Sequence, residues 1–473
     1  MKLYNTRTRK IEALKPLKDN LIRIYSCGPT VYDRAHIGNL SSFIFVDTLR
    51  RTLDIAGFSV KHAMNITDVD DKTIRRSHEQ YPAQNPRSAL EKLTNKYTAA
   101  FQADMQAVGN DMDSLTLLRA TDPRALEAMQ QLILKLHEQG FAYTADDGVY
   151  FSIEAYRKSG KTYGQLLELS PNSTSRARIQ NDEYDKASLH DFALWKKQKD
   201  GEPAWEFSLG GHDLTGRPGW HIECSAMSRL LLGQPFDIHT GGIDLVFPHH
   251  ENEIAQSTAD ETNPLLATVF AHNEHILVDG KKMAKSAHNF YTLQDITKRG
   301  YDPLAFRLLV LQAHYRSQIH FSWENMEAAQ HRLNDLQAIA DLRHQPQISE
   351  MPGELNHLFK TTRQEIYDAM LDDLNSPLAL TSLNKLFNYL AGIATPGVEG
   401  RYSEGILTFL DNVFGLQLSN RPDISNPQKQ AIVTRQKARV AKDWKKSDEL
   451  REQIKQQGIG LRDTPHGAVW HRL

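Results

Sequence analysis

The chain has 473 residues, of which 40% are apolar and 24% are charged, and its formal net charge is −2. This length exceeds one compact core, so we expect two to four domains, and the near-neutral charge disfavours a protein that binds nucleic acid over its whole surface. No apolar run approaches the ~20 residues of a membrane span and no secretory signal is visible, so we expect a cytoplasmic protein that binds no membrane. Along the chain, the first predicted elements are a strand, a helix and a second strand.

These three elements are read from short apolar patterns. The run "NLIRIYSC" is a predicted strand that stops at Gly28, and a helix with apolar residues at helical spacing is predicted from Gly38 to Gly57. The second strand is "FSVKHAMNIT". In a β-α-β unit of this kind, ligands bind at the carboxyl ends of the strands, where Cys27 and His36 fall.

Downstream of this unit the predicted elements change character twice. Helices are predicted at about 87–108 and 123–139, and hairpins and polar irregular stretches then follow to about residue 205, which we interpret as an insertion into the sheet domain. Strand and helix signals resume with "FDIHTGG" and "PHHENEIAQSTA", and beyond about residue 303 nearly every segment has helical periodicity. After a linker at 419–427, the tail is predicted to hold one long helix and a short irregular end.

The tail is basic although the whole chain is not. Between Lys429 and Arg462 there are ten Lys or Arg residues against four Asp or Glu residues. A charged helix face in water explains this run as well as a binding site for a polyanion does, and composition leaves both interpretations open.

Two short motifs are typical of a binding site for a nucleoside triphosphate. In "HIGN", His36 stands at the start of a helix beside Gly38, so the ligand can approach closely and meet free N–H groups, although a histidine that only caps the helix is the alternative. In "GKKMAKSAHN", Lys282 and Lys285 flank a small residue in a polar loop. Such a loop either delivers ammonium groups to a polyphosphate or is simply a solvated surface loop.

Residues in three separate segments form a candidate metal site. Two of its members are four residues apart and share one face of a helix, and the set offers two thiolates, an imidazole and a carboxylate, which is a chemically sensible zinc set. The cysteines lack the C-x-x-C spacing of a zinc finger, so buried structural thiols are the alternative. By spacing alone, His250 and Glu251 are candidates equal to their neighbours. The four members are Cys27, Cys224, His249 and Glu253.

In this order along the chain, the motifs resemble the cysteinyl-tRNA synthetase family of class I aminoacyl-tRNA synthetases. The resemblance runs from residue 2 to the end and rests on "CGPTVYDRAHIGN", "NITDVDDK", "RPGWHIECSAM", "DLVFPHHENEIAQS", "KMAKS" and the tail "ARVAKDWKKSDELREQI" with "GIGLRDTPHGAVW". It implies an α/β fold whose Rossmann-type parallel sheet carries a connective insertion, followed by a helical bundle and a small anticodon-binding domain. The implied ranges are 1–125 and 206–303 for the catalytic domain, 126–205 for the insertion, 304–418 for the stem-contact and helical bundle domain, and 428–473 for the anticodon-binding domain.

The resemblance also implies roles for individual residues. One Zn2+ per chain is expected on Cys27, Cys224, His249 and Glu253, which decides between the two histidines. The pocket for L-cysteine is expected to be formed by Cys27, Thr67, Trp220 and His221. ATP, accompanied by Mg2+, is expected on Thr30, His36, Gly38, Asn39, Asp244 and Lys285, with His36, Asn39, Lys282 and Lys285 as the catalytic residues. The anticodon GCA is expected to be read by Arg439, Asp448 and Asp463.

The implied activity is that of an ATP-dependent, AMP-forming ligase. L-Cysteine and ATP give cysteinyl-adenylate and pyrophosphate, and the cysteinyl group then passes to the 3′ end of tRNA-Cys, with a monomer as the expected state. Two alternatives use the same catalytic half. One is the cysteine ligase of the mycothiol pathway, which lacks a full anticodon-binding domain, and the other is a non-catalytic tRNA-binding paralogue, which only the altered KMAKS motif favours.

A metal at the first strand's end would explain how serine is rejected. Serine differs from cysteine by one atom, and an apolar pocket discriminates such a pair only ~10–200-fold, whereas sulfur coordination to zinc discriminates far better. No editing site is then required, and an insertion of about 80 residues is too short for a separate hydrolytic domain.

Two of the departures from the family pattern bear on activity. Ala284 stands where the family usually has serine, and the lost hydroxyl predicts a several-fold slower activation. The run "DDKTIRR" departs from the Lys-Ile-Ile-Lys sequence tied to a secondary persulfide-forming activity, so we do not extend that activity to this chain.

Overall fold

The computed structural model describes residues 1–167, 191–259, 264–283, 289–345, 353–392, 400–464 and 467–473. The chain divides into two compact units, the first comprising Met1–Asp295 with Tyr315–His320 and the second Ile296–His314 with Phe321–Leu473. Ala284 and Lys285 lie outside the described residues. The division into five domains remains a prediction.

The first unit is built on a parallel sheet. Its strands run in the order β13-β12-β3-β4-β5, and each neighbouring pair is parallel. All carboxyl ends therefore meet at one edge of the sheet. The strands are β1 Lys2–Asn5, β2 Lys10–Ala13, β3 Leu21–Ser26, β4 Ser59–Ile66, β5 Leu115–Arg119, β6 Ala142–Ala145, β7 Gly148–Phe151, β8 Phe192–Lys197, β9 Ser208–Leu209, β10 His212–Asp213, β11 Gly216–Pro218, β12 Phe236–Gly242, β13 Ala267–Asn273, β14 Ile276–Val278, β15 Lys281–Lys282, β16 Ile319–Phe321, β17 Ile459–Thr464 and β18 Gly467–Arg472.

The helix between the first two parallel strands confirms the predicted strand–helix–strand unit. Its apolar residues recur at helical spacing, and Phe43, Leu49 and Leu53 are all buried. The helices are α1 Ile37–Ile55, α2 Asp71–Gln80, α3 Pro86–Ala107, α4 Pro123–Glu138, α5 Ile153–Lys158, α6 Trp220–Leu232, α7 Glu251–Thr258, α8 Leu293–Lys298, α9 Pro303–Leu311, α10 Trp323–Ala340, α11 Gly353–Leu371, α12 Ser376–Gly392, α13 Gly400–Phe414, α14 Asn426–Val440 and α15 Trp444–Gln456. None of the helices in the described ranges combines the length and apolar character that a membrane crossing requires.

The segment between α4 and α6 forms a separate antiparallel sheet. Its order is β11-β8-β7-β6, and its inner face is filled by Phe151, Phe192 and Trp195. A pattern of alternating apolar residues between turns is typical of such hairpins, because only one face of the sheet is buried.

The tail corrects the prediction of one long helix with an irregular end. It contains two helices, α14 and α15, followed by the antiparallel hairpin β17–β18. The helix stops because Lys442 takes a left-handed conformation, with φ of 60°, and Asp443 caps the next helix. Ile459 and Leu461 alternate along β17 and pack into the small core of this region, which favours a strand over an irregular end.

Candidate functional site

The four predicted metal ligands come together at the carboxyl edge of the parallel sheet. Cys27 directly follows β3 and Cys224 lies in α6. His249 lies in the helical turn Val246–His250 that precedes α7, and Glu253 lies in the first turn of α7. Their ligand atoms all lie within 4.8 Å of one another. The Sγ atom of Cys27 is 3.8 Å from Sγ of Cys224 and 3.7 Å from Oε1 of Glu253.

A kink before α7 aims the histidine of this set. The segment Val246–His250 is helical except at Phe247, whose φ of −140° and ψ of 134° are those of a strand. The turn that follows stacks His249 above Glu253, so that Nε2 lies 2.9 Å from Oε1. Trp220 lies flat against this imidazole at 4.2 Å between ring centroids.

Charge is concentrated in this buried cluster. Burial alone would raise the pKa of the Cys224 thiol, but the contacts with Cys27 and His249 outweigh it and lower the pKa to about 6. Burial would lower the pKa of His249, but Glu253 and Cys224 raise it to about 10. Burial would also raise the pKa of Glu253, yet His239 and His249 hold it well below its usual range. Burial, followed by the contacts with Cys224 and Glu253, raises the pKa of the Cys27 thiol well above its usual range. The anionic donors that attract a positive charge are therefore Cys224 and Glu253.

The residues fit a metal ion. Nε2 of His249 is buried and makes no hydrogen bond among the described residues, although an oxygen of Glu253 is near. A cation that binds this nitrogen takes the place of the proton that the raised pKa of His249 would otherwise keep on the ring. For zinc with ligand bonds of ~2.0–2.3 Å, tetrahedral donors stand roughly 3.3–3.8 Å apart, which matches the two distances from the Cys27 sulfur.

The neighbouring candidates left open by spacing differ in their surroundings. His250 belongs to a second possible set with Cys27, His239 and Glu253. Its Nε2 lies 4.0 Å from Oε1 of Glu253, whereas Nε2 of His249 lies 2.9 Å from the same oxygen. Both imidazoles are hydrogen-bonded at Nδ1, His250 to His272 and His249 to His221. Glu251 belongs to neither set, because its carboxylate accepts hydrogen bonds from the backbone of Gly164 and Leu166 in the insertion. Residue spacing cannot separate His249 from His250, since both lie within one turn of Glu253.

Two of the residues expected to form the cysteine pocket lie behind its surface. Thr67 is 1% exposed, and His221 is 3% exposed and hydrogen-bonds His249 through Nδ1 at 2.9 Å. The Thr67 hydroxyl donates to Glu223 Oε2 at 2.6 Å and accepts from Asn65 Nδ2 at 3.1 Å. These two buried residues therefore support the pocket by hydrogen bonding to side chains around it, and they do not form its exposed wall.

A cavity of about 340 Å³ begins at this cluster and reaches the HIGN turn. Trp220, at 39% exposed, contributes to its wall. The predicted nucleotide residues that line it are Thr30, His36, Gly38, Asn39 and Asp244. Asp244 also lies close to His275, with Oδ2 at 3.3 Å from Nδ1.

His36 caps α1, which is the alternative that the sequence left open. Its Nδ1 accepts from the backbone N–H of Asn39 at 3.2 Å, and the Asn39 side chain accepts from the backbone N–H of His36 at 3.3 Å. This reciprocal cap fixes the imidazole at the cavity wall, so capping and ligand binding are compatible.

Met283 of the KMAKS motif and Phe290, which follows the motif on its other side, both meet the HIGN turn. A Cβ atom at Gly38 would come within 2.6 Å of Met283 Cε, so glycine allows the methionine to approach. On the other flank, the Phe290 ring lies edge-on to His36 at 5.0 Å. Lys282 pairs with Leu277 in the β14–β15 ladder. Sequence analysis missed Met283 and Phe290, because single apolar residues beside a polar loop carry no recognisable signal.

His239 and Glu223 were also missed. His239 Nε2 is 2.6 Å from Glu253 Oε2, and both side chains are fully buried. The Oε1 atom of Glu223 is buried without a hydrogen-bond partner among the described residues. The available signal was the presence of titratable residues within the otherwise apolar strand "FDIHTGG" and helix "GWHIECSAM".

The predicted anticodon residues lie in the second unit. Asp463 on β17 is bound by Arg439 of α14, with NH1 at 2.8 Å from Oδ2, and Asp448 is exposed on α15. Hydrogen bonds from Arg435 lower the pKa of Asp463, and Arg439 and Arg451 act in the same direction. The carboxylate is therefore held in its ionised form.

Comparisons with known proteins agree with this geometry. The family model for the catalytic domain of class I (C) tRNA synthetases matches residues 13–331. Among solved structures, methionyl-tRNA synthetase of Mycobacterium tuberculosis with methionyl-adenylate has a TM-score of 0.61 at 13% identity, covering 85% of this chain and 92% of that one. The LeuRS–tRNA–LeuAMS complex of Agrobacterium radiobacter K84 has a TM-score of 0.59 at 13% identity, covering 86% and 85%. These likenesses confirm the class I fold.

Similarity in sequence reaches the whole chain. Cysteine–tRNA ligase of Leptospira interrogans serovar Lai is 38% identical over 490 aligned residues, covering 100% of this chain and 99% of the relative. Cysteine–tRNA ligase of Brachyspira hyodysenteriae is also 38% identical, covering 99% and 98%. The chain therefore belongs to the cysteine–tRNA ligase family of class I tRNA synthetases.

Proposed function

We propose that this cysteine–tRNA ligase selects L-cysteine at the cluster of Cys27, Cys224, His249 and Glu253, which we call the Cys27 cluster. It then activates the amino acid with ATP in the adjoining cavity and transfers it to tRNA-Cys. The observation that supports this proposal most directly is the convergence of two thiols, an imidazole and a carboxylate at the carboxyl edge of the sheet, where the same cavity reaches the HIGN turn. Amino acid and ATP can then lie side by side at this edge of the sheet.

In this proposal Zn2+ is held by Cys27, Cys224, His249 and Glu253. When bound, zinc supplies a strong preference for sulfur over oxygen, which is the discrimination that cysteine against serine requires. The stack of Trp220 on His249 and the hydrogen bond between His249 and His221 fix the orientation of the His249 imidazole. The pair Thr67 and Glu223 fixes the wall beneath the amino acid.

ATP is proposed to lie along Thr30, the HIGN turn and Asp244, with Mg2+ accompanying its phosphates. The cysteine carboxylate is already an adequate nucleophile, so attack on the α-phosphorus needs no general base, and the leaving group is pyrophosphate. The protein's task is placement and the neutralisation of charge on the phosphoryl oxygens. We assign that task to His36, Asn39, Lys282 and Lys285, together with the free N–H groups at the start of α1.

The second substrate is proposed to be tRNA-Cys with the anticodon GCA. Arg439, Asp448 and Asp463 in the tail are the proposed reading residues, and their position among basic side chains suits a phosphate backbone. We further propose that the protein acts in the cytoplasm as a monomer.

The test of the whole proposal combines three measurements on the purified chain. Cysteine-dependent ATP–pyrophosphate exchange, charging of a GCA-anticodon tRNA and one zinc per chain should all be found. Exchange without charging would favour a ligase for a small molecule, and the absence of both would favour a binding protein. Adenylation of serine nearly as fast as cysteine would contradict selection by sulfur.

A matched variant tests the metal ligands. Cys224→Ala should lower zinc content and cysteine activation together, because it removes one of four donors. Full cysteine activation by a zinc-free Cys224→Ala protein would contradict the assignment.

A further inference from the structure

A fully buried arginine lies beneath the proposed anticodon residues. The side chain of Arg435 in α14 is 1% exposed, and it is among the largest buried side chains of the described residues. Burial of a guanidinium is unfavourable unless the charge is paired and hydrogen-bonded. Arg435 meets this requirement through Asp463, whose side chain is 29% exposed. The pair thus connects the interior of the tail to its surface.

The contact between the two side chains is bidentate. NH1 of Arg435 donates to Oδ1 of Asp463 at 2.7 Å, and NH2 donates to Oδ2 at 2.9 Å. The Nε atom of Arg435 is buried without a hydrogen-bond partner among the described residues. The guanidinium is therefore directed at this one carboxylate, and a planar fork of this kind fixes both the position and the plane of the acceptor.

A second arginine occupies part of the same carboxylate. Arg439, four residues further along α14, donates from NH1 to Oδ2 of Asp463 at 2.8 Å. Among the described residues, Oδ2 thus accepts two hydrogen bonds and Oδ1 accepts one. Since each carboxylate oxygen can accept about two, the capacity that the described residues leave lies on Oδ1. Beside it, Arg439 is partly exposed and has further N–H groups on its guanidinium.

We propose that Arg435 is a positioning residue for tRNA recognition, which holds Asp463 so that Oδ1 accepts a hydrogen bond from an N–H group of one anticodon base. This inference rests on the proposed role of Asp463 in reading the anticodon. Arg435 itself is buried and does not touch the tRNA. The two N–H groups that Arg435 donates to Asp463 fix the orientation of the carboxylate, and with it the direction of Oδ1, which keeps acceptor capacity among the described residues. Arg439 presents further N–H donors beside Oδ1. Readout of a base edge depends on such fixed donor and acceptor geometry.

The test is the discrimination between anticodons, measured as kcat/KM for charging of the GCA transcript and of transcripts changed at one anticodon base. Arg435→Lys keeps the charge but removes the fork. We expect charging of the GCA transcript to fall roughly tenfold and charging of the altered transcripts to change less than about threefold, so that the discrimination ratio shrinks. Cysteine-dependent pyrophosphate exchange should be unchanged, because it does not involve the tRNA.

A matched control separates positioning from stability. Arg421 in the same unit forms a second bidentate pair, from Nε and NH2 to the buried carboxylate of Asp341 at 2.8 and 2.7 Å. Arg421→Lys removes an equivalent fork and should leave the discrimination ratio unchanged. Thermal unfolding of both variants measures the structural cost. Asp463→Glu is a second probe that keeps both charges and shifts only the oxygens, and it should also reduce the ratio.

Each outcome decides one question. If Arg435→Lys and Asp463→Glu lower charging of all transcripts by the same factor, the arginine is only structural and the inference is overturned. If Asp463→Asn leaves the ratio unchanged, the proposed anticodon site is wrong, and the inference is overturned with it. If Asp463→Asn lowers the ratio while Arg435→Lys and Asp463→Glu do not, the anticodon site stands and only the positioning role is overturned.

Discussion

The Cys27 cluster and the Arg435–Asp463 pair both hold an ionised carboxylate, but they balance its charge differently. Glu253 is fully buried, and its two oxygens face the imidazoles of His239 and His249 at 2.6 and 2.9 Å. Asp463 is partly exposed and is bound by permanently charged arginines. An imidazole is cationic only when it carries an additional proton, whereas a guanidinium is always cationic.

This difference indicates what each site requires from outside the chain. The buried cluster gathers potential negative charge from two thiols and a carboxylate, and its imidazoles balance that charge only by taking up protons, so it favours a bound cation. The Asp463 carboxylate is balanced by Arg435 and Arg439, and in the role proposed for it Oδ1 accepts a hydrogen bond from a partner. Loss of charge at the first site should therefore stop cysteine activation, while loss at the second should change only tRNA selection.

The largest effect is expected from Glu253→Gln, which keeps the size of the side chain and removes its charge. The partners of a buried carboxylate are then left uncompensated, which typically costs about 3–5 kcal/mol. We expect cysteine-dependent pyrophosphate exchange to fall roughly 10²–10³-fold, with loss of zinc. Exchange kinetics and metal analysis of the same preparation are the measurements.

The control for that variant is Glu154→Gln in the insertion. Glu154 pairs with Lys158 at 2.6 Å, but its side chain is 73% exposed, and exposed ion pairs contribute little. Exchange and zinc content should stay at the level of the unmodified chain. A Glu253→Gln protein that retained both zinc and rapid exchange would contradict the inference that the Cys27 cluster, unlike the Asp463 site, depends on the charge of its carboxylate to bind a cation.

A smaller effect is expected from Thr67→Val, which tests whether a buried hydroxyl near the Cys27 cluster affects the KM for cysteine and not the KM for ATP. The change removes the hydroxyl that links Glu223 and Asn65, so both lose a partner in a buried network, at about 1–3 kcal/mol. We expect the KM for cysteine to rise roughly tenfold while the KM for ATP stays unchanged.

Thr48→Val is the matched control for this substitution. Thr48 is 4% exposed, and its hydroxyl donates only to the carbonyl of Ile44 in its own helix, at 2.7 Å. Its removal should alter neither KM. Equal changes in the two KM values for Thr67→Val would show that the hydroxyl supports the whole fold and has no special role toward cysteine.

The fold of the first unit was predictable because its signals are local. The apolar spacing of α1 and the short apolar strands on either side are properties of ten or twenty consecutive residues. The tail was mispredicted because one left-handed residue, Lys442, ends the helix, and lysine is not a residue that marks such a turn. The hairpin after Gly458 depends on packing of Ile459 and Leu461 into a small core, which no local window displays.

The site residues were predictable only where they belong to recognisable motifs of the family. Cys27 and Cys224 are 197 positions apart, so their separation of 3.8 Å is a consequence of the fold that spacing cannot supply. His249 and His250 are equivalent by spacing, and the kink at Phe247 gives them different partners. Arg435 was missed because a basic residue in a basic helix carries no sign of burial.

The smallest effect is expected at Ala284, where the family pattern has serine and where the prediction rests on sequence alone. If the missing hydroxyl normally contributes one neutral hydrogen bond, worth ~0.5–1.5 kcal/mol, Ala284→Ser should speed activation by roughly 2- to 12-fold. Ala83→Ser, at an exposed position of the first unit, is the control for a general effect of the added hydroxyl. Pyrophosphate exchange at saturating cysteine is the measurement. An unchanged rate of exchange would mean that alanine at this position does not slow cysteine activation. The polar groups expected to limit the reaction would then be those of the partly exposed Asp463 region and of the buried Cys27 cluster.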